Sequence, residues 1–369
     1  MRIAQVATLY ESVPPKAYGG IERVVSTLSE ELVRQGHEVT LFASGDSTTA
    51  ARLVACCPCA VRLVEDTADP QAFHFAMLER VVRQAGEFDL VHFHTDYMHF
   101  PFARRLPCEH LTTLHWRLDI PGLDLLYHEF RDLPLVSISH AQRRPLPNLN
   151  WQGNVYHGLP EHLFAPGDGH GGYLAFLGRI APPKRPDLAI EIARRAGLPI
   201  RLAAKLDSGD HWYYERDIRH LFDQPLVDYV GELAGATLNE FLAGARALLF
   251  PIDWPEPFGL VMIEALACGT PVIAFGRGSV PEVIDHGVTG FVVDSVEEAV
   301  AMVPRLDEID RRRCRETFER RFTATRMTRA YADIYQRLLQ RRPANPANGD
   351  DRALLEDGPD AIQGPGHRL

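Results

Sequence analysis

The first half of the chain alternates short apolar runs with longer amphipathic stretches. Between residues 21 and 32, apolar residues recur three and four positions apart, which predicts a helix, and Gly36 then suits the left-handed backbone that often ends one. Apolar runs that predict strands lie at residues 3–9, 38–43, 90–93, 111–114 and 135–138. The shortest of these runs are typical of strands that are covered on both faces. Strands separated by helices predict a parallel sheet in a doubly wound α/β domain.

The second half repeats this alternation after a stretch that is rich in glycine, proline, aspartate and histidine. This stretch, residues 160–172, is the predicted linker between two domains. Beyond it the pattern predicts a helix at 185–196 and strands at 173–177, 200–204, 247–250, 272–275 and 291–293. The chain is therefore predicted to form two Rossmann-like α/β domains, at residues 1–165 and 173–322.

A helix and a tail are predicted after the second domain. Apolar residues recur at helical spacing within residues 323–342, which predicts a helix with one apolar face. These residues are Met327, Ala330, Tyr331, Ile334, Tyr335 and Leu338. Residues 343–369 have the polar, proline- and glycine-rich composition of a disordered tail.

The charge of the chain argues against nucleic acid as a partner. Its 369 residues carry 49 acidic and 39 basic side chains, a net charge of −10, whereas general nucleic-acid binders carry a basic excess. Arginine nevertheless outnumbers the acids between residues 304 and 342. We expect these arginines either to pair with acidic residues of the protein or to make a weak peripheral contact with an anionic membrane surface. Pairing is the favoured interpretation.

The chain lacks the sequence features of secreted, membrane-spanning and zinc-binding proteins. No apolar run approaches the roughly 18 residues of a membrane span, and the first apolar run is too short for a signal peptide. We therefore expect a cytoplasmic protein. The six cysteines lack the spacing of a disulfide framework. Cys56 and Cys59 lack the second ligand pair of a zinc site, so no metal site is predicted.

Two glutamates flank the start of a predicted helix within residues 255–271. Glu256 lies between two prolines, which stiffen its loop. Gly259 and Leu260 then open the helix, whose free N–H groups and positive dipole end suit a phosphate. Glu264 is placed to accept hydrogen bonds from two vicinal hydroxyls, as an acid does toward ribose in dinucleotide folds. The alternative is a solvated pair of glutamates, but this helix is apolar nearly all round, which favours burial.

Two cations follow the first predicted strand of the second half. Arg179 and Lys184 lie five residues apart on a turn that prolines stiffen. An arginine fork and a lysine point charge on one loop suit a diphosphate, and the alternative is a pair of surface cations that cap a loop. No Asp-x-Asp metal motif follows a strand, because Asp207 and Asp210 are spaced differently.

Glycines and histidines mark the ends of the predicted strands in the first half. A glycine pair joins the first strand to the first helix, although turn formation alone would also explain it. His94, Asp96 and His115 follow later strands, whose carboxyl ends form the ligand crevice of an α/β domain. For His94 and Asp96 the alternatives are a metal site or buried, hydrogen-bonded side chains.

Residues 255–271 and the Arg179–Lys184 motif resemble the signature segments of the retaining glycosyltransferases of family 4, and the resemblance extends from residue 1 to about residue 340. Those enzymes have the GT-B fold, in which two Rossmann-like domains face a cleft and the last helix crosses back onto the first domain. The resemblance implies transfer of a sugar from a nucleoside diphosphate sugar to an acceptor hydroxyl. It also implies retention at the anomeric carbon and no metal cofactor.

The resemblance further implies roles for individual residues. By this match Glu264 binds the nucleotide ribose and Glu256 approaches the donor sugar. Arg179 and Lys184 neutralise the leaving diphosphate, and His115 hydrogen-bonds the donor sugar. The implied catalytic residues are His115, Glu256, Arg179 and Lys184. The other implied donor-binding residues are Gly19, Gly20, Phe258, Gly259 and Leu260, and the acceptor-side residues are Tyr18, His94 and Asp96.

Two other functions are alternatives on this architecture. One is a nucleotide-sugar 2-epimerase of GT-B shape, and the other is a catalytically silent protein that binds a nucleotide sugar. Neither the nucleotide base nor the sugar nor the acceptor is indicated by the sequence.

We also expect structural roles for Glu282 and for the glycines of residues 167–172. Glu282 is expected to be an acid at a helix N-terminus, where the helix dipole stabilises it. His157 stands where the resembled family more often has asparagine. The two domains are expected to close about the glycines of residues 167–172.

Overall fold

The computed structural model of the chain describes residues 1–16, 19–64 and 69–341. Seven parallel strands form the first sheet: β1 Arg2–Val6, β2 Glu38–Ala43, β3 Arg52–Ala55, β4 Leu90–Phe93, β5 Glu109–Thr113, β6 Leu135–Ser137 and β7 Trp151–Asn154. Their order is β3-β2-β1-β4-β5-β6-β7. The order reverses direction between β1 and β4, where α/β folds place their ligand crevice.

Six parallel strands form the second sheet: β8 Leu174–Arg179, β9 Ile200–Lys205, β10 Val227–Gly231, β11 Ala247–Phe250, β12 Val272–Phe275 and β13 Gly290–Val293. Their order, β10-β9-β8-β11-β12-β13, has the same switch between β8 and β11. The two domains therefore present equivalent crevices at the carboxyl ends of their central strands.

Helices connect the strands of both domains. In the first domain they are α1 Gly20–Arg34, α2 Pro70–Gln84, α3 Phe100–Ala103, α4 Leu123–Glu129 and α5 His140–Arg143. In the second they are α6 Pro186–Ala196, α7 His211–Tyr213, α8 Arg219–Phe222, α9 Gly235–Gly244, α10 Leu260–Ala267, α11 Val280–Val283, α12 Val296–Met302 and α13 Arg311–Arg321, and α14 Ala324–Arg341 follows them.

The central strands lie where the apolar pattern predicts them, which confirms the α/β fold. The main difference is the first strand, which ends at Val6 and not at Leu9. Leu9 is fully buried, but its N–H donates to the Nε2 of His74 at 3.0 Å and not to a neighbouring strand. Burial of the side chain therefore continues the apolar pattern past the point where strand pairing stops.

Three strands escaped the sequence analysis, and all three lie at sheet edges. They are β3, β7 and β10, whose residues are half-buried or exposed. An edge strand is covered less completely than a central one and does not need a continuous apolar run. Its sequence therefore carries too weak an apolar signal.

The glycine-rich stretch predicted as the linker is tied to the second domain. The N–H groups of Gly167, Gly169 and Gly171 donate to backbone carbonyls of that domain at 3.0, 3.1 and 2.9 Å. The Arg311 side chain donates to the Gly167 carbonyl at 2.9 Å. The expectation that the domains close about these glycines is therefore wrong, because the hydrogen bonds attach the segment to one domain.

The chain passes between the domains at two adjacent places. The Leu159 N–H donates to the Phe322 carbonyl at 2.9 Å, and the Ala324 N–H donates to the Leu159 carbonyl at 2.8 Å. A Cβ atom on Gly158 would overlap the backbone of Thr323, so only glycine permits this close approach. These paired crossings are the covalent connection between the two domains.

Helix α14 crosses back onto the first domain, as the resemblance implies. Tyr331 and Tyr335 are fully buried in a cluster that contains Leu28 of α1 and Val136 of β6. The apolar face predicted from the sequence is therefore the face that packs on the first domain.

Arginines between residues 304 and 341 form ion pairs within the protein. Arg305 pairs with Glu308 at 2.8 Å, and Arg315 pairs with Glu319 at 2.6 Å. Both acids belong to the basic stretch itself, whereas Arg321 pairs at 3.0 Å with Asp285, an acid outside the stretch, as the favoured interpretation predicts.

Two predictions fall outside the described residues, namely the acceptor-side residue Tyr18 and the tail at 343–369. Among the helices that the structure describes, none is both long and apolar enough to cross a membrane.

Candidate functional site

The loop between β11 and α10 carries the first of the two predicted glutamates. Glu256 is buried, and its Oε2 accepts hydrogen bonds from the Nζ of Lys184 at 2.5 Å and from the Nε1 of Trp254 at 2.7 Å. The Lys184 ammonium also lies 4.8 Å from the centroid of the Trp254 ring. A buried carboxylate needs such partners, because an unpaired charge is strongly penalised there. Lys184 therefore contacts the glutamate that the resemblance assigns to the donor sugar.

Backbone contacts hold this loop in place. The N–H of Ser279 donates to the Glu256 carbonyl at 2.9 Å, and its hydroxyl donates to the Phe258 carbonyl at 2.8 Å. A Cβ atom on Gly278 would overlap the Glu256 backbone. Gly259 has a φ of 80°, which favours glycine, and α10 begins at the next residue, as the sequence predicts. The loop thus presents the N-terminus of α10 in a well-supported conformation.

The second glutamate joins the two domains. Glu264 lies on α10, is 3% exposed and forms an ion pair with Arg23 of α1. Nearby, a Cβ atom on Gly20 would lie 3.6 Å from the Cδ1 of Leu260. The structure therefore brings the predicted glycine pair and the start of α10 together across the cleft. Sequence reasoning missed Arg23, because a basic residue on a helix gives no sign of a partner 241 positions away.

Gly19 lies over a buried acid. A Cβ atom on Gly19 would lie 2.6 Å from Pro15 and 3.2 Å from the Oε2 of Glu22, so the position has no room for a larger residue. Glu22 accepts a hydrogen bond from the Thr8 hydroxyl at 2.5 Å, and burial raises its pKa. The glycine loop is therefore packed against Glu22 in the first turn of α1.

Arg179 ends β8 among acidic residues. Its guanidinium lies 3.2 Å from Asp207 and 3.6 Å from Asp210, and Lys205 lies 3.2 Å from Asp207. The Arg179 side chain is 27% exposed, so a ligand at the carboxyl end of β8 can reach it. The two aspartates act as counter-ions of these cations. In the part of the chain that the structure describes, no three metal-ligating side chains are grouped.

His115 follows β5 and faces the second domain through ring contacts. Its backbone N–H donates to the Oδ1 of Asp96 at 3.1 Å. Its ring lies 5.3 Å from that of His157, which in turn lies 4.9 Å from the ring of Phe258. Burial lowers the pKa of His115 to about 3, so the imidazole is neutral at physiological pH.

His94 lies behind His115 and not at the surface of the cleft. It has no exposed surface, its Nδ1 lies 2.9 Å from the Nε2 of His115, and its Nε2 lies 2.9 Å from the Oε1 of Gln5. This arrangement corrects the prediction that His94 lines an acceptor pocket, because a fully enclosed side chain cannot contact an acceptor directly.

Glu282 lies in the first turn of α11, as the sequence predicts, and its carboxylate also contacts the N-terminus of a helix in the other domain. Its carboxylate accepts hydrogen bonds from the backbone N–H groups of His140 and Ala141, at 2.8 and 2.6 Å, and from the Tyr156 hydroxyl at 2.9 Å. His140 begins α5 of the first domain. This contact, which the sequence did not predict, holds the two domains together.

A cavity of about 200 Å³ opens between the domains beside this site. Both domains contribute to its lining, which consists of Arg117, Leu118, Asp119, Ala141, Gln142, Arg144, Pro145, Pro255 and Gly278. Pro255 precedes Glu256 and Arg117 follows His115 by two residues, so the cavity is lined by sequence neighbours of two predicted catalytic residues.

Solved glycosyltransferases share this architecture. AviGT4, a glycosyltransferase involved in avilamycin A biosynthesis, superposes with a TM-score of 0.69 and 23% identity over 92% of this chain and 98% of that one. Anabaena HepE in complex with UDP and glucose superposes with a TM-score of 0.70 and 17% identity over 91% and 99%. At these identities the likeness shows the fold alone. Together with the crossing helix, it places the protein in the GT-B class.

Both halves of the sequence match glycosyltransferase families, namely Glycosyltransferase Family 4 over residues 18–166 and Glycosyl transferases group 1 over residues 168–317. The chain belongs to the family 4-like glycosyltransferases, which confirms the resemblance. D-inositol 3-phosphate glycosyltransferase from Saccharomonospora viridis is 32% identical over 186 residues, 45% of this chain and 43% of that protein. The matched region is thus less than half the length of that relative.

Proposed function

We propose that this protein transfers a sugar from a nucleoside diphosphate sugar to an acceptor hydroxyl, with retention of configuration and without a metal cofactor. The observation that carries the proposal is that Lys184 pairs with Glu256 in the loop before α10, whose Glu264 contacts the first domain through Arg23. Arg179 lies at the end of β8, the strand that precedes Lys184. HepE, which has the same fold, was solved with UDP and glucose, so UDP-glucose is the first donor to test.

The proposed donor site has separate contacts for the diphosphate and for the ribose of the nucleotide sugar. The N-terminus of α10 offers N–H groups and a positive dipole end to the diphosphate. Arg179 and Lys184 neutralise the charge that develops on the diphosphate as it leaves, the role that a metal ion plays in other glycosyltransferases. Glu264 receives the ribose hydroxyls and shares its carboxylate with Arg23, so nucleotide binding is coupled to the position of the first domain.

The proposed reaction takes place on one face of the sugar. The bond between the anomeric carbon and the diphosphate oxygen breaks, and a bond to the acceptor oxygen forms on the same side. The acceptor proton passes to the departing diphosphate oxygen. Glu256 accepts hydrogen bonds from Lys184 and Trp254. Because its carboxylate is already bonded, we assign it to holding the sugar and not to nucleophilic attack on the anomeric carbon.

The acceptor is proposed to occupy the 200 Å³ cavity between the domains. Arg117 and Arg144 line this cavity, and guanidinium groups suit phosphate. Asp119 also lines it and accepts two hydrogen bonds from Arg117, so a phosphate would share that guanidinium with a carboxylate. The relative from Saccharomonospora viridis is named for D-inositol 3-phosphate. Phosphorylated polyols are therefore the first acceptors to test.

Thermal-shift measurements with UDP, GDP, ADP and their sugars test the donor site. A ligand that binds the native state raises its melting temperature, and the largest shift identifies the base. Arg179→Ala and Lys184→Ala are each expected to weaken donor binding about tenfold or more, because each removes a charge-assisted contact to the diphosphate. Arg194→Ala is the control, since Arg194 pairs with Glu191 on an exposed helix surface.

The outcome of these measurements decides the proposal. Donor affinity and turnover that are unchanged in both site variants would show that the diphosphate site is elsewhere. Turnover with a phosphorylated polyol should give a product whose anomeric proton has the donor's configuration by NMR. Excess EDTA should leave the rate unchanged. Conversion of the donor sugar without any acceptor would indicate an epimerase instead.

A further inference from the structure

A continuous chain of hydrogen bonds runs through the core of the first domain and ends at His115. Its successive members are Tyr331, Thr113, His92, Tyr335, Gln5, His94 and His115. The six contacts measure 2.9, 2.8, 2.7, 3.2, 2.9 and 2.9 Å in that order. All members before His115 are fully buried, so water does not replace any of these bonds.

The amide of Gln5 gives this chain a direction. Its Oε1, which only accepts, faces the Nε2 of His94, so that nitrogen carries a proton. Burial lowers the pKa of His94 well below its ordinary value, so the ring is neutral and its Nδ1 is an acceptor. The Nε2 of His115 faces that Nδ1 and therefore carries the proton of its own ring.

The direction set at Gln5 continues through the other end of the chain. The Nε2 of Gln5 donates to the Tyr335 hydroxyl, whose own proton then goes to the Nδ1 of His92. The Nε2 of His92 donates to Thr113, and the Thr113 hydroxyl donates to Tyr331. Every link runs in one direction, so each donor from His115 to Thr113 along the chain meets an acceptor.

The second ring nitrogen of His115 is left for a ligand. His115 is 9% exposed. Its Nδ1 forms no hydrogen bond with another described residue, and it is not one of the fully enclosed polar atoms that lack a partner. We propose that Gln5, His94 and Tyr335 are positioning residues that keep the Nδ1 of His115 unprotonated, so that it accepts a hydrogen bond from a hydroxyl of the bound sugar. The contact with a sugar rests on the proposed function, whereas the assignment of protons along the chain does not depend on it.

The proton pattern can be measured in the intact protein without substrate. Long-range proton–nitrogen NMR spectra of protein labelled with nitrogen-15 histidine show which ring nitrogen carries a proton. The His115→Gln variant assigns the signals of His115. At pH 7 we expect a protonated Nε2 and an unprotonated Nδ1. A protonated Nδ1 on His115 would overturn the inference.

Two substitutions of His94 separate its two hydrogen bonds. Asparagine can place its amide oxygen near the former Nδ1 and still accept from His115, whereas glutamine extends toward Gln5 and leaves His115 without its acceptor. We expect His94→Asn to keep kcat/KM within about threefold and His94→Gln to lower it about tenfold, the loss of one buried hydrogen bond. Equal losses in the two variants would contradict the assigned direction.

A pair of matched tyrosine variants tests the contribution of α14. Tyr335→Phe removes the group that orients the Gln5 amide, and we expect the spectra to show His115 as a mixture of tautomers. Tyr331→Phe removes only the last acceptor of the chain, and we expect His115 to stay as in the native protein. An unchanged His115 in Tyr335→Phe would show that α14 does not set its tautomer.

Donor analogues test the contact with the sugar. Analogues that lack one hydroxyl at a time are compared in the native protein and in His115→Ala. For one position, the loss of affinity should be about tenfold in the native protein and absent in the variant. If His115 has the expected tautomer but the protein turns over no donor, the positioning chain is supported and the proposed function is rejected. If the protein turns over a donor but the Nδ1 of His115 is protonated, the proposed function is supported and the positioning chain is rejected.

Discussion

Asp96 combines three local features that together determine its chemistry. Its φ of 47° lies in the left-handed region, which aspartate and asparagine tolerate better than most residues. Its Oδ1 accepts the backbone N–H of His115. Burial raises the pKa of Asp96 to about 6, against the opposing effect of the backbone N–H groups of His115 and Trp116. The side chain thus supports His115 while its own ionisation is unfavourable.

This raised pKa gives stability a definite pH dependence. The folded protein holds the Asp96 proton more tightly than the unfolded chain, so stability falls as the pH rises from about 4 through 6. Asp96→Asn keeps the acceptor oxygen and the left-handed backbone but carries no charge. We expect it to match the native protein at low pH and to be about 3 kcal/mol more stable at pH 8, in urea unfolding.

A second aspartate serves as the control for this prediction. Arg117 lowers the pKa of Asp119 through a side-chain hydrogen bond, so Asp119 contributes stability above its unfolded pKa that is lost in acid. Asp119→Asn should therefore be less stable than the native protein at pH 8 and equal to it at low pH. Parallel pH curves for the native protein and Asp96→Asn would contradict the account of Asp96.

At the scale of elements, α5 and α11 meet across the domain boundary through one carboxylate. Helix α5 has only four residues, and two of its N-terminal N–H groups bond to Glu282. The Tyr156 hydroxyl donates to the same carboxylate, and burial is the main cause that raises the pKa of Tyr156 to about 12. Such an arrangement satisfies helix ends that a short helix leaves open.

Glu282→Gln tests the strength of this contact between elements. Glutamine retains one acceptor oxygen but loses the charge, so we expect unfolding to require about 1–2 kcal/mol less. The pKa of Tyr156 should also fall, because the nearby negative charge is lost, and ultraviolet titration measures it. Glu298→Gln is the control, since Glu298 accepts an exposed N–H within one domain. Equal stability of the two variants would show that the contact between domains contributes little.

At the scale of the whole molecule, one helix joins the end of the described chain to its beginning. The apolar face of α14 is buried against the first domain, although α14 follows the second domain in sequence. The hydrogen bonds between Leu159 and the residues around Thr323 lie where the chain crosses from one domain to the other. The first domain therefore lacks part of its own core until the last helix has folded onto it.

Truncation separates the helix from the segment that follows it. Removal of residues 343–369 should leave the melting temperature and turnover unchanged, because their composition predicts no packing. Removal from residue 324 onward should expose the surfaces that cover Tyr331 and Tyr335, and we expect loss of cooperative unfolding or aggregation. Differential scanning calorimetry measures both. Loss of turnover after the shorter truncation would refute the prediction about the tail.

Local sequence determined the elements, the fold class and the chemistry of the signature segments. Central strands and the apolar face of α14 could be predicted because burial on a sheet or a helix imposes a period on neighbouring residues. The glycines before α10 and the cations after β8 could be located because loop chemistry depends on residues close together in sequence.

Only the tertiary structure decided which residues face one another. Three contacts show this: Arg23 pairs with Glu264, Glu282 bonds to the start of α5, and hydrogen bonds link Tyr335 through Gln5 to His94. Each of them joins elements that are far apart in the sequence. Hydrogen bonds and ion pairs act over a few ångströms and leave no period in the sequence, so their partners appear only when the chain is folded. For the same reason His94, predicted at the cleft, was found behind His115.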